Sequence, residues 1–226
     1  RRNILINELN NEFAKFPKLK NYLYTRALKS GKAFGEDLEL FLPGLFNISG
    51  KKSEKETKRN QEYDINIEGK KYSLKSSTSK EMQISTLSDN NKNRIYFDKD
   101  ILQATTLSAA YIRTLINSYG LEDFIFGFVS KNKITIGMFS VSNFLNLIDN
   151  VKLVQKETHR PLCLYDKNNN LIAEIKDDTG KPKANAFQRG LWIKNLNLVE
   201  KAGVFYDTVE LDVSEIKTID LINLFK

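Results

Sequence analysis

Side chains that could support chemistry are concentrated in the stretch EYDINIEGKKYSLKSS, which runs from Glu62 to Ser77. Apolar and polar residues alternate on both sides of Glu68-Gly69-Lys70-Lys71, and this pattern predicts a β-hairpin. Successive side chains of a strand point to opposite faces, so the polar residues share one face of the hairpin. These polar residues are Asp64, Asn66, Ser73, Lys75 and Ser77. A purely structural hairpin needs no such cluster, and this face is therefore a candidate site.

An acid and an ammonium group on a rigid strand pair suit the hydrolysis of a phosphodiester. If Gly69 and Lys70 are the central turn residues, Asp64 lies opposite Lys75 across the ladder. A carboxylate can hold Mg²⁺, which polarises the phosphate and activates water, and a lysine can stabilise the developing negative charge or position that water. The alternative is a cross-strand ion pair on a solvated sheet face, and both interpretations stay open at this point.

The order of an acid, a turn and x-x-Lys resembles the PD-(D/E)XK nucleases, which include most type II restriction endonucleases. Asp64 matches the family's first acid, and Ser73-Leu74-Lys75 matches the second half of the motif with Lys75 as its lysine. The chain departs from the pattern at Tyr63, where the family has a proline, and at Ser73, where it usually has Asp or Glu. A hydroxyl is a poorer Mg²⁺ ligand than a carboxylate, so another acid is needed.

The stretch SGKAFGEDLELF resembles the earlier helix that supplies a glutamate to the site in many members of this family. Gly31, Gly35 and Glu39 follow one another at four-residue spacing. The resemblance makes Glu39 the first choice to complete the metal-binding carboxylates and Glu36, one turn earlier, the second, with Glu62 in reserve. The alternative for Glu39 and Glu36 is the solvated side of an amphipathic helix.

Helices and strands are interspersed along the chain, which predicts an α/β fold with a mixed sheet. One predicted helix stops at Pro43-Gly44. The charged run from Lys51 to Asn60 is predicted to be an exposed loop. A long amphipathic helix is predicted from Asp100 to Tyr119, with Asp98 or Asp100 as its N-cap and Gly120 as its terminator.

The family resemblance implies a restriction-endonuclease-like core, in which helices flank a mixed central β-sheet. It implies one endonuclease domain over residues 1–226 with a catalytic core at about 29–140. Elements that contact DNA are expected at about 76–94 and 160–200.

The resemblance also implies Mg²⁺-dependent, sequence-specific cleavage of double-stranded DNA, with Asp64 and Glu39 as metal ligands. Cleavage of both strands of a palindrome is most simply achieved by a homodimer in which each subunit cuts one strand. In its length and its Lys/Asn/Ile bias, the whole chain is similar to rare-cutting type II enzymes whose targets contain only A and T. We therefore expect an A/T-rich palindromic target.

Two polar segments contain side chains of the kinds that read DNA bases. Asn and Gln suit adenine, whereas Arg and Lys suit guanine or a narrow minor groove. Each segment has the alternative of being a solvated loop. The candidates are Ser77, Thr78, Lys80, Gln83, Asn91 and Arg94 in the first segment and Lys181, Lys183, Asn185, Gln188 and Arg189 in the second.

The charge of the chain favours a polyanionic partner. Lys and Arg outnumber Asp and Glu by 35 to 28, which gives a formal net charge of +7. Two other functions remain compatible with these features: a structure-specific repair or junction nuclease, and a basic DNA-binding module without enzymatic activity. Digestion of random-sequence DNA and the Mg²⁺ dependence of cleavage would distinguish them.

The rest of the composition excludes several classes of protein and site. The lone cysteine, Cys163, has no disulfide partner and is expected to be buried, and the lone histidine, His159, cannot provide the histidine pair of an HNH-type metal site. No Walker loop or dinucleotide fingerprint is present. No apolar run approaches the roughly 20 residues that span a bilayer, and no signal-peptide pattern opens the chain, so we expect a soluble, cytoplasmic protein.

Overall fold

A computed structural model describes residues 5–56, 63–84, 95–97, 107–118, 120–130, 133–154, 161–176 and 187–213, with the backbone alone at 95–97, 176 and 187–189. The chain divides into two compact units. The first unit comprises residues 1–79, 123–139 and 205–226, and the second comprises residues 80–122 and 140–204. The prediction of an α/β fold is confirmed, and the interpretation of the chain as one endonuclease domain stays a prediction.

The described helices and strands are interspersed along the chain. After a short 3₁₀ helix (Ile6–Leu9), the helices are α1 (Asn10–Lys15), α2 (Pro17–Lys29), α3 (Gly31–Ile48), α4 (Ala109–Ser118), α5 (Val141–Leu147) and α6 (Leu196–Lys201). The strands are β1 (Ser53–Lys55), β2 (Ile65–Ile67), β3 (Lys70–Tyr72), β4 (Leu74–Ser77), β5 (Met82–Gln83), β6 (Ile95–Phe97), β7 (Phe124–Val129), β8 (Lys133–Phe139), β9 (Asn150–Leu153), β10 (Leu162–Tyr165), β11 (Leu171–Lys176), β12 (Phe187–Ile193) and β13 (Phe205–Asp212).

The described residues of the first unit form two sheets. Strands β1, β2 and β3 form an antiparallel three-stranded sheet, and a four-stranded sheet has the order β13-β8-β7-β4. Strand β4 runs parallel to β7, whereas β7 with β8 and β8 with β13 are antiparallel, so this sheet is mixed. Helix α3 buries Phe34, Leu38, Leu42 and Phe46 in the core that these sheets share. That burial supplies the main driving force for docking the helix.

Helix α3 does not stop at Pro43-Gly44 as the sequence predicted, but continues to Ile48. Pro43 has no N–H to donate to the carbonyl of Glu39, and a proline inside a helix costs about 3 kcal/mol. Beyond the proline, Leu45 and Phe46 continue the apolar face and are buried. The burial of those two side chains offsets the cost of the proline, because each contributes roughly 1.5–3 kcal/mol.

The predicted hairpin forms, but its predicted register is wrong. Ile67 pairs with Lys70 and Ile65 pairs with Tyr72, so the two central turn residues are Glu68 and Gly69 rather than Gly69 and Lys70. Both have positive φ, 53° and 80°, as a two-residue type I′ turn requires. Strand β3 ends at Tyr72, so Lys75 and Ser77 lie on β4 of the four-stranded sheet and not on one polar face of the hairpin as predicted.

Two further predictions of local structure are corrected. Part of the charged run from Lys51 to Asn60 is not a loop, because β1 pairs with β2 along it and Ser53 is buried there. Helix α4 begins at Ala109, where the Ser108 hydroxyl accepts a hydrogen bond from the Tyr111 N–H, and the predicted caps Asp98 and Asp100 lie outside the described residues. The apolar periodicity of the sequence did not locate this start, which the serine cap marks.

The second unit is built on a six-stranded sheet with the order β5-β12-β11-β10-β9, in which β6 also pairs with β12. Strands β10 and β11 form a hairpin, with Asn169 at positive φ in its turn. Cys163 is buried on β10, as expected. Among the described helices, none is both long and apolar enough to cross a membrane.

Candidate active site

Asp64 lies where the three-stranded sheet meets the interruption between β3 and β4. Its N–H donates to the Tyr72 carbonyl at 2.9 Å, and its carbonyl accepts from the Glu56 N–H at 3.0 Å, so neighbouring strands hold its backbone on both sides. Its Oδ2 accepts a hydrogen bond from the Leu74 N–H at 2.6 Å. Ser73 is the residue of the interruption, and its carbonyl accepts from the Ile125 N–H at 2.9 Å. The Asp64 carboxylate is therefore held in a defined position beside the start of β4.

Helix α3 brings Glu39 to the same region through a close approach to β4. A Cβ on Gly31 would lie 3.7 Å from the Thr78 hydroxyl oxygen, and one on Gly35 would lie 2.5 Å from the Ser76 hydroxyl oxygen. Four helical residues rise about 6 Å and two strand residues about 6.6 Å, so helix and strand stay in step. Glu39 lies four residues after Gly35 on α3, and it is therefore level with Leu74, the first residue of β4.

Substitution of Gly35 tests this close packing. We expect Gly35→Ala to lower the free energy of unfolding by about 1–3 kcal/mol, because its Cβ overlaps the Ser76 hydroxyl. A second change, Ser76→Ala, removes that oxygen and leaves the Ser76 Cβ at 3.4 Å, so the double variant should recover most of the loss. Urea-induced unfolding measures both values.

Gly44 in the same helix provides the matched control. No heavy atom lies within 4 Å of a Cβ built on it, so Gly44→Ala should leave stability unchanged or raise it by up to about 1 kcal/mol. Equal stability of the Gly35 and Gly44 variants would show that the close approach of α3 to β4 is not required.

The two candidate glutamates of α3 have different surroundings. The Glu39 side chain is 26% exposed, and its Oε2 lies 3.0 Å from Nζ of Lys55 on β1. The Glu36 side chain is 54% exposed and pairs at 3.8 Å with Lys32 on the same helix. Of the two, Glu39 is therefore directed towards the sheet residues, and Glu36 lies on the solvated side.

Lys75 lies on β4, where it pairs with Phe126 of β7 rather than with Asp64 as predicted, and it is part-buried. Burial lowers the pKa of its ammonium group, and the negative charges of Asp64 and Glu39 only partly counteract this effect. Burial raises the pKa of Glu39, as does the charge of Asp64, whereas the ion pair with Lys55 lowers it, and the net direction is upward. The hydrogen bond of Asp64 to the Leu74 N–H and the close approach of α3 to β4 place Asp64, Glu39 and Lys75 in one region of the first unit.

The donor set of this cluster suits a hard divalent cation. Within the described residues, no group of three or more His, Cys, Asp or Glu side chains is arranged to hold a metal ion. Mg²⁺, however, commonly keeps several waters and takes only one or two protein carboxylates together with substrate phosphates. The carboxylates of Asp64 and Glu39 repel each other, which a shared dication would relieve. The residues present therefore fit Mg²⁺.

The candidate DNA-reading residues of the first segment have varied environments. Ser77 is buried, and its hydroxyl donates to the Ser79 carbonyl and accepts from the Ser79 N–H, both at 3.1 Å. Thr78 and Lys80 are exposed, and Gln83 lies on β5 opposite Trp192. Asn91 and Arg94 lie outside the described residues.

The second segment is described only at its end. Gln188 and Arg189 lie on β12, where their backbones pair with Tyr96 and Ile95 of β6. The remaining candidates of this segment, Lys181, Lys183 and Asn185, lie outside the described part of the chain. Glu62, the reserve candidate for the metal site, also lies outside it. The DNA-reading role of both segments stays a prediction.

Lys55 is the residue at this site that the sequence did not identify. Strand β1, which carries Lys55, has no apolar residue. Its one buried side chain is that of Ser53, whose hydroxyl donates to the Asn66 carbonyl at 2.9 Å. Alternation of apolar and polar residues therefore could not reveal β1. The only signal was the position of a charged run between the helix and the hairpin.

No family model, no curated protein and no solved structure gives a significant match to this chain. The chemistry assigned to the cluster of Asp64, Glu39 and Lys75 therefore depends on the residues and their geometry.

Proposed function

We propose that the protein is a Mg²⁺-dependent DNA endonuclease of the type II restriction class, which hydrolyses phosphodiester bonds within a palindromic, A/T-rich target. The observation that supports this proposal is that Asp64 accepts a hydrogen bond from the N–H of Leu74, the neighbour of Lys75, while the close approach of α3 to β4 directs Glu39 to the same region. An acid pair beside a part-buried lysine suits phosphodiester hydrolysis. The net charge of +7 favours a nucleic acid as the substrate.

Each residue has a distinct role in this proposal. Asp64 and Glu39 would hold Mg²⁺, which when bound polarises the phosphate and activates a water. Lys75 would donate hydrogen bonds to the attacking water or to the phosphate, where negative charge develops. Burial lowers the pKa of the Lys75 ammonium, which makes proton exchange with that water easier than for an exposed lysine. Ser73 takes the position of the family's second acid.

The proposal includes a PD-(D/E)XK-like core. This core would consist of helix α3, the antiparallel strands β1 to β3, strand β4 and strand β7, which runs parallel to β4. The order of helix, antiparallel strands and a parallel pair along the chain supports this proposal. A homodimer that cuts both strands of the target also belongs to it.

A second candidate function is a basic DNA-binding module without enzymatic activity. Both carboxylates already have structural partners, because Asp64 accepts from the Leu74 N–H and Glu39 pairs with Lys55. If these contacts are purely structural, the protein would bind DNA in a salt-dependent manner and would not cleave it.

Incubation of the pure protein with a plasmid library and Mg²⁺, followed by sequencing of the fragment ends, tests the proposal. We expect discrete ends that share one short palindrome, and no cleavage when EDTA removes the metal. Cleavage that depends on branches or ends would instead identify a repair or junction nuclease. Salt-sensitive binding without cleavage would support the DNA-binding module and overturn the endonuclease proposal.

A further inference from the structure

Lys55 is held beside the candidate active site by backbone contacts. It pairs with Ile65 in the ladder of β1 and β2, and the next residue, Glu56, donates its N–H to the Asp64 carbonyl at 3.0 Å. The strand therefore places the backbone of Lys55 opposite Ile65, one residue away from Asp64. From there its Nζ reaches Oε2 of Glu39 at 3.0 Å.

The charges of the site are balanced only when Lys55 is included. Asp64 and Glu39 contribute two negative charges, and Lys75 and Lys55 contribute two positive charges. With a serine at position 73, Glu39 is the acid of α3 whose charge interacts with that of Asp64, and its ammonium partner is Lys55. A cation in this position occupies one of the two carboxylates that a divalent metal would need.

We propose that Lys55 is a positioning residue that holds the Glu39 carboxylate when no metal is bound, and that it competes with the divalent cation for this carboxylate. The inference rests on the proposed function, because it assigns Glu39 to the metal site. Its consequence is that metal binding must displace the Lys55 ammonium from Glu39. Removal of the ammonium should therefore strengthen metal binding, although it removes a contact from the folded protein.

Binding of Mn²⁺ to the DNA-free protein tests this inference, because Mn²⁺ prefers the same oxygen ligands as Mg²⁺ and free Mn²⁺ is measured directly by electron paramagnetic resonance. We expect Lys55→Met to bind Mn²⁺ about two- to fivefold more tightly than the natural protein, the range that a part-exposed ion pair supports. Lys55→Arg keeps the positive charge and should bind Mn²⁺ like the natural protein. Lys52→Met removes an equal charge from an exposed position and should not change the affinity.

A double-mutant cycle identifies Glu39 as the group for which Lys55 competes. In a Glu39→Gln background the carboxylate is absent, so Lys55→Met should no longer increase the affinity for Mn²⁺. Equal or weaker Mn²⁺ binding by Lys55→Met in the unaltered background would overturn the inference. If Asp64→Asn still loses both Mn²⁺ binding and DNA cleavage in that case, the proposed function stands. Failure of the natural protein to bind Mn²⁺ through Asp64 would overturn both.

Discussion

Asp64→Asn and Lys75→Met should each lower the rate of DNA cleavage at least about 10²- to 10³-fold, the loss expected when one electrostatic contact to the reacting phosphate is removed. The introduced asparagine would be a neutral and weaker metal ligand, and the introduced methionine could not donate a hydrogen bond. Single-turnover cleavage of a target duplex, at saturating protein and Mg²⁺, measures the rate.

These two substitutions are chosen so that folding and activity can be separated. The Leu74 N–H donates to Asp64, so Asp64→Ala would leave a buried donor unpaired at a cost of about 1–3 kcal/mol, whereas the side-chain oxygen of an asparagine can still accept it.

Lys75→Met should not reduce stability. Burial lowers the pKa of Lys75, so its protonated form is disfavoured in the folded state. This penalty is present at neutral pH and is relieved as the pH rises through the lowered pKa. Removal of the charge should therefore leave the melting temperature unchanged or raise it, while cleavage is lost. Full cleavage by either variant would contradict the assignment of the site.

Glu39→Gln should lower cleavage by about 10²-fold or more at saturating Mg²⁺, because it removes the second carboxylate of the metal site. Glu36→Gln is the matched control, since it makes the same chemical change one turn earlier on α3, where the side chain is 54% exposed. We expect that variant to keep cleavage within a few-fold of the natural protein.

The apparent Mg²⁺ requirement gives a second readout of the Glu39 substitution. A lost metal ligand should raise the Mg²⁺ concentration needed for half-maximal cleavage, and Mg²⁺ titrations of both variants measure it. If Glu36→Gln is as defective as Glu39→Gln, the side of α3 that serves the metal has been assigned wrongly.

Local patterns in the sequence were sufficient for the parts of this protein that depend on near neighbours. Alternation around Gly69 predicted the hairpin between β2 and β3. The buried side of α3 likewise follows apolar residues at helical spacing, including Phe34 and Leu38. Such patterns are readable because strand and helix periods place side chains on faces whatever the rest of the chain does.

The contacts that build the candidate site depended on packing between distant segments. The hairpin register followed from the positive φ angles of Glu68 and Gly69, which composition alone did not separate from a turn one residue later. The family resemblance already ranked Glu39 before Glu36, but the different exposure of the two side chains follows from the rotation of α3 against β4, where Gly35 and Ser76 approach closely.

Packing between distant segments also determines the continuation of α3 past its proline and the ion pair of Lys55 with Glu39. Burial of Phe46 in the shared core outweighed a local rule about proline. Lys55 lies on a strand without apolar residues, and only the pairing of β1 with β2 brings its charge to that of Glu39. Periodicity describes which face a residue occupies, whereas the partner across that face is set by tertiary packing, because it comes from a remote part of the chain.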